Sequence, residues 1–213
     1  MAKAGPRRST EPAADIKARL IEATVTVLAR DGFAHASARA IATEAGGVNG
    51  LIFYHFGSMD GLLAATARAI TDRGLERLRE GLGGDRAHLE WPDRLAEVIR
   101  REAVGPDGLA VMELLVGSRT SPVLAAEVRD AIGRAMDFAQ EQLERVVGGS
   151  AVAQVLPLPL LADLAAAAFL GLEVLTQNGR QIDLDALADT IAGLVRLVTA
   201  FVPAAPSGGA PAA

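Results

Sequence analysis

Apolar residues recur along this chain every three to four positions, the spacing of one helical face, and the alternation a half-buried strand would show is missing. The first stripe, Ile16, Leu20, Ala23, Val27 and Leu28, predicts an amphipathic helix over residues 15–30, ended by Asp31-Gly32. Phe33 follows the break and is expected to close the small core this stripe begins. Two short segments come next. Ser37 is a good N-cap for a helix over 38–45 with Ala38, Ile41, Ala42 and Ala45 on one side, and Gly46-Gly47 ends it, because glycine takes a left-handed cap without a Cβ penalty. A second short helix fits 48–55, with Ile52 and Phe56 spaced i,i+4 on its inner side and Asn49, Tyr54 and His55 projecting elsewhere. Ser58 caps a third helix, with Asp60 in its first turn where the helix dipole favours an anion. Two short helices joined by a tight glycine turn, the second carrying polar and aromatic side chains off its inner face, describe a helix-turn-helix.

Downstream the pattern stays helical. A long helix from Met59 to about Glu80 carries Leu62, Leu63, Thr66, Ala69, Ile70 and Leu78 to a break at residues 81–85. Trp91-Pro92-Asp93 is expected to open the next, running to about residue 104, with proline near its first position. A short, strongly apolar helix over 109–117 follows, then a long one from Ser121-Pro122 to residue 147, then helices over 160–178 and 184–202, the last capped by Asp183. Residues 1–13, with Arg7 and Arg8, and residues 203–213 have the composition of disordered ends. The expected fold is all-α: a basic arm over 1–13, a three-helix helix-turn-helix domain over 14–60 with its motif at 37–56, a larger helical domain over 61–202, and a tail.

Composition narrows the function classes. With 213 residues, half of them hydrophobic, the chain can bury a substantial core. Cysteine is absent, which removes disulfides, thiolate metal sites and cysteine nucleophiles and makes a cytoplasmic setting the expectation. The first residues lack the apolar core of a secretory signal. The longest nearly uncharged run, 146–172, contains two prolines and Asp163 and reads as a buried helix with its lead-in, not a membrane span. His35, His55 and His88 are scattered, so no metal site is expected. Gly117-Ser118 lacks the second glycine of a nucleophile elbow, and neither glycine-rich stretch is followed by Gly-Lys-Ser/Thr, so neither an enzyme nor a cofactor is called for. The net charge is -5, yet residues 1–57 carry +2 and the remainder -7. That division suits an N-terminal part that meets phosphates and an acidic body that faces away, and it equally suits a solvated uneven surface.

Residues 37–62 carry the motif of a resemblance, covering about residues 16–73, to the TetR family of bacterial transcription regulators; beyond it only the all-helical pattern agrees. Ser37, Ile41, Ala42, Ala45, Gly46, Gly50, Phe56, Ser58 and Leu62 match the family pattern without a gap. Gly47-Val48 stand where that pattern has Val-Ser, Phe53 replaces its tyrosine and Met59 its lysine, removing a phosphate-contacting hydroxyl and a cation. A one-residue slip, in which Val48 and Asn49 take the roles of the preceding pair, is an alternative register. The resemblance implies a homodimer that binds a near-palindromic double-stranded operator and, as a repressor, releases it when an apolar small molecule occupies the C-terminal domain.

On these grounds the DNA-contacting candidates are Ser37, Arg39, Val48, Asn49, Leu51, Tyr54, His55, Ser58 and Met59. The final two helices are apolar around more than one stripe, so they are expected to face both the core and a second copy, through Ala165, Ala168, Leu187, Ile191, Val195 and Val198. Effector-lining candidates are Met112, Met136, Phe138, Phe169 and Val174, with Glu113 or Gln177 orienting the ligand. The competing reading is a helical carrier or enzyme in which residues 37–63 are merely packed helices, and it predicts no salt-sensitive affinity for DNA.

Overall fold

In a computed structural model the described residues are 12–47, 49–83, 87–102, 105–148, 153, 157–177 and 179–200. Among them all regular structure is helical: α1 (Ala13–Asp31), a 3₁₀ turn (Phe33–His35), α2 (Ala38–Glu44), α3 (Gly50–Phe56), α4 (Met59–Leu82), α5 (Ala87–Glu102), α6 (Pro106–Gly117), α7 (Pro122–Val147), α8 (Leu158–Gln177) and α9 (Leu184–Thr199). The sequence expectation of an all-α chain with a helix-turn-helix near its start is met. The expected arm and tail, residues 1–11 and 203–213, lie outside the described residues.

The chain forms two compact units, one of residues up to Ile70 with Leu109–Val128, the other of Thr71–Gly108 with residues from Arg129 on. The boundary expected between residues 60 and 61 falls inside α4, a continuous helix. In the first unit α1 is apolar on two sides. Leu20, Ala23 and Val27 pack with Ile41, Ala42, Ala45, Ile52 and Leu62, while Val25 and Leu28 pack with Leu63, Ala67, Ile70, Ala110, Leu114, Leu124 and Val128. Thr24 and Thr66 are fully buried within this layer, and each returns its hydroxyl to the carbonyl four residues back, Leu20 at 2.7 Å and Leu62 at 2.9 Å. Their polar atoms are thereby satisfied without leaving the apolar stripe.

The same unit carries two polar links of long sequence reach. Glu113 on α6 accepts a hydrogen bond from the Phe33 amide at 2.7 Å, and the Phe33 ring lies where a Cβ on Gly117 would stand. Arg68 on α4 donates to both oxygens of Glu127 on α7, whose side chain is 7% exposed.

In the second unit Trp91, Val98 and Phe138 gather with Leu75, Leu82, Val146 and Val147. The Arg79 guanidinium lies 5.5 Å above the Phe138 ring, a cation–π arrangement. α5 and α9 meet through Ala96, Ala188 and Ala192, small residues that let the helices approach closely, and are laced by Arg100 to Asp185 and Asp189 and by Arg196 to Asp93. Two expectations need correction here. α5 begins a turn earlier than Trp91-Pro92 suggests, at Ala87, with Pro92 inside it, because burying Trp91 in the cluster offsets the one backbone bond that proline forfeits. Of the run read as a buried helix, the part that forms α8 is largely uncovered: α8 exposes Leu160, Leu164 and Leu175, and its stretch Leu158–Thr176 is long and apolar enough to cross a membrane with 6% of it buried.

Candidate nucleic-acid interface

The geometry of the motif follows from its caps. The Ser37 hydroxyl accepts from the Ala40 amide at 3.2 Å and starts α2. The chain leaves α2 by two nested bonds, Gly47 N–H to the Ala42 carbonyl at 2.9 Å and Gly46 N–H to that of Thr43 at 3.1 Å. Gly46 sits at φ +64°, the left-handed turn that a side chain would strain. That turn redirects the backbone into α3.

On α3 Ile52 is fully buried and Phe56 packs on the α1–α2 cluster, so these two fix the inner side. Gly50 and Tyr54, one turn apart, stand opposite, with Phe53 on one flank and Leu51 on the other. Tyr54 is 82% exposed and Phe53 50%. The His55 ring meets Tyr54 edge-on with centroids 4.9 Å apart. Ser58 then accepts from the Gly61 amide at 2.9 Å and starts α4.

Behind this surface Arg30, at the end of α1, bridges Asp31 at 2.8 Å and Glu44 on α2 at 2.9 Å. Hydrogen bonding to Arg30 holds the Asp31 carboxyl below its usual range, against a smaller opposing effect of burial, while the two carboxylates raise the Arg30 guanidinium further above neutrality. The bridge ties α1 to α2.

The DNA-contacting candidates divide accordingly. Arg39, Asn49, Tyr54 and Ser58 are exposed, and Asn49 makes no side-chain capping bond of its own. Ser37 is exposed but its hydroxyl is occupied as a cap, and His55 is half-buried. Val48 lies outside the described residues. Leu51 and Met59 pack partly against the inner cluster, so Met59 is not an outward substitute for the family's lysine: an apolar side chain at the start of α4 gains more from that core than from solvent. Phe53, read from the sequence only as a tyrosine without its hydroxyl, is half-exposed beside Tyr54, and its position about a quarter-turn from the side set by Ile52 and Phe56 allows that exposure.

The other candidates are scattered. Glu113 serves the Phe33 amide and, with Met112, belongs to the first unit, whereas Met136, Phe138 and Val174 belong to the second, where Phe138 is buried in the Trp91 cluster and Val174 is exposed. The side chains of Phe169, Gln177 and Val198 lie outside the described residues. For the expected contact with a second copy, Ala165 and Ala168 are exposed, Leu187 and Ile191 are half-buried, and Val195 packs on its own core. On α9 the outward apolar residues are instead Leu194 and Leu197, each one position before an expected valine, because Ala188 and Ala192 turn the helix's small-residue side toward α5.

Residues 20–66 match the family described as bacterial regulatory proteins, tetR family. An uncharacterised HTH-type transcriptional regulator of Mycobacterium tuberculosis is 29% identical over 117 residues, 55% of this chain. The chain spans 60% of the length of that relative. Among solved structures, a Rhodococcus protein assigned to the TetR family has a TM-score of 0.71 at 22% identity, covering 87% of this chain and 99% of that one. The transcriptional regulator FadR of Bacillus subtilis, solved in complex with stearoyl-CoA, has a TM-score of 0.65 at 19% identity, covering 84% of this chain and 96% of its own. Those likenesses are of fold, and the match of sequence is confined to the N-terminal part: residues 20–66 are a DNA-binding region of the kind found in the TetR family of bacterial regulatory proteins.

Proposed function

We propose that this chain is a homodimeric, sequence-specific DNA-binding repressor that leaves its operator when a small, largely apolar molecule binds the second unit. One observation carries the reading: α3, the second helix of the motif, turns Gly50, Phe53 and Tyr54 away from a core that fully buries Ile52. A helix held that way fits the major groove, where base edges are read, while Arg39 and Ser58 at neighbouring helix starts are within reach of phosphates. The apolar cluster around Trp91 and Phe138, with Met136 on the same helix as Phe138, supports an effector site in the second unit. The Bacillus subtilis regulator FadR was solved holding stearoyl-CoA, a ligand with a long apolar chain, which agrees with an apolar effector. Release requires the effector to favour the non-binding state by about 1 to 3 kcal/mol, and the same coupling obliges DNA to weaken effector binding equally.

The test is binding of the purified chain to DNA from upstream of its own coding sequence, titrated with salt. Saturable binding whose affinity falls steeply with salt is expected. Affinity that is absent, or indifferent to salt and sequence, would sink the reading and favour a helical carrier.

A further inference from the structure

We propose that α3 recognises its operator through thymine methyl groups, met by Phe53 and Leu51 on either side of Tyr54, so that the bases facing this helix are A·T pairs. The inference rests on the DNA-binding reading and deepens it. Each base pair shows the major groove its own set of groups, and each is answered by different side chains: guanine by arginine or lysine, cytosine by a carboxylate, adenine by asparagine or glutamine, and the thymine methyl by apolar contact. Gly50–Phe56 contains no arginine, lysine, aspartate, glutamate, asparagine or glutamine. What it turns outward is a bare Cα at Gly50, with nothing within 4 Å of a Cβ there, then the Tyr54 ring and hydroxyl, and the half-exposed Phe53 ring. Leu51 is anchored in part against the inner cluster, leaving its remaining surface on the opposite flank.

An exposed phenylalanine on a small domain leaves apolar area in water with no gain to the free protein, and against a phosphate or a guanine edge it offers nothing. Against a C5 methyl it removes apolar surface from water on both partners. The one side chain beside this face with a bidentate amide points to the same pair. Asn49, exposed just ahead of α3 and unused as a cap, suits N6 and N7 of adenine, the base opposite thymine. Gly50 lets the DNA come close enough for both contacts. Guanine-rich half-sites would meet neither arginine nor lysine from this helix.

The experiment uses the duplex bound in the upstream-region titration, prepared in parallel with every thymine of the protected site replaced by deoxyuridine, which removes the methyl and keeps the hydrogen-bonding edge. For the full-length chain, affinity should fall about fourfold for each buried methyl lost, or about fifteenfold with one per half-site in a dimer. In Phe53→Ala, a substitution at a half-exposed position with the fold checked by circular dichroism, affinity for the thymine duplex should drop and the difference between the two duplexes should shrink. Equal, tight and salt-sensitive binding of both duplexes by the unaltered chain overturns this inference and leaves the DNA-binding function standing. A deoxyuridine penalty of the same size in the unaltered chain and in Phe53→Ala overturns the assignment to this side chain, and the same penalty persisting in Leu51→Ala as well attributes the effect to DNA shape. Binding to neither duplex overturns both readings.

Discussion

Arg30 holds two carboxylates at once, and the acid nearer in sequence carries a pH signature. Because the bond to Arg30 lowers the Asp31 pKa in the folded chain, Asp31 contributes stability that is fully present above its unfolded pKa of about 3.9 and is lost as pH falls through the lower folded value. Asp31→Asn should therefore be less stable than the parent in urea at pH 6, with the gap closing toward pH 2, and a gap that stays constant would show the pair to be idle. A second residue-scale prediction concerns Gly117, where a Cβ would come within 2.0 to 2.5 Å of three Phe33 ring atoms. Gly117→Ala must displace that ring, and a loss of about 1 to 3 kcal/mol in urea unfolding is expected, as for other overpacked sites. Pairing it with Phe33→Leu should recover part of that loss, since the clash is with the ring itself. Arg39, exposed on α2, is the third case: Arg39→Ala should weaken specific and nonspecific DNA alike and reduce the slope of log K against log salt by about 1 per subunit. An unaltered slope would make Arg39 a solvated helix charge.

Between elements, the Arg68–Glu127 pair joins α4 to α7 asymmetrically, with Glu127 buried and Arg68 61% exposed. Removing the cation takes a charged donor from a carboxylate held away from water, whereas removing the carboxylate leaves a guanidinium that is mostly in water already. Arg68→Met should thus cost about 1 to 3 kcal/mol, between the values for exposed and for wholly buried pairs, and Glu127→Gln less. The reverse order in urea unfolding would mean that Glu127 is hydrated in the native state. Such long-range links were invisible in the sequence, where Glu113 was read as an acid that could orient an effector and could be matched to no partner 80 residues away. The helices themselves were legible where local chemistry starts or stops them, at Ser37, Gly46, Ser58, Pro122 and Asp183. Where packing overrode the local signal, as at Trp91-Pro92, the boundary was misjudged. Periodicity also identifies an apolar stripe without saying what covers it, which is why Val195 was assigned to a partner although it packs on its own unit, and why Leu194, on the same helix, was not counted among the partner-facing residues.

At the scale of the molecule, the second unit leaves a large apolar area in water. α8 exposes Leu160, Leu164 and Leu175 together with Ala165 and Ala168, and α9 exposes Leu194 at 59% and Leu197 at 61%. Exposed apolar surface on two successive helices suits an interface, and two helices from each of two copies would cover it as a four-helix arrangement about a two-fold axis. A membrane would also cover α8, but Asp163 and Glu173 fall within its apolar stretch, and α9 carries Asp185, Asp189 and Arg196, which pair with α5. Leu164→Arg and Leu197→Arg alter positions already open to solvent, so each subunit should fold with an unchanged helical signal. In a dimer the same arginine would be buried without a partner, at a cost of several kcal/mol. Ala192→Arg, at a residue 1% exposed against α5, should instead unfold the second unit and so serves as the contrast. Sedimentation at micromolar concentration should find the parent dimeric and the two leucine variants monomeric. Operator affinity should fall with dimerisation, because one motif reads one half-site and two must lie about 34 to 36 Å apart on the duplex. A parent chain that sediments as a monomer yet binds its operator tightly would refute the dimer, and a leucine variant that stays dimeric would move the interface to another face.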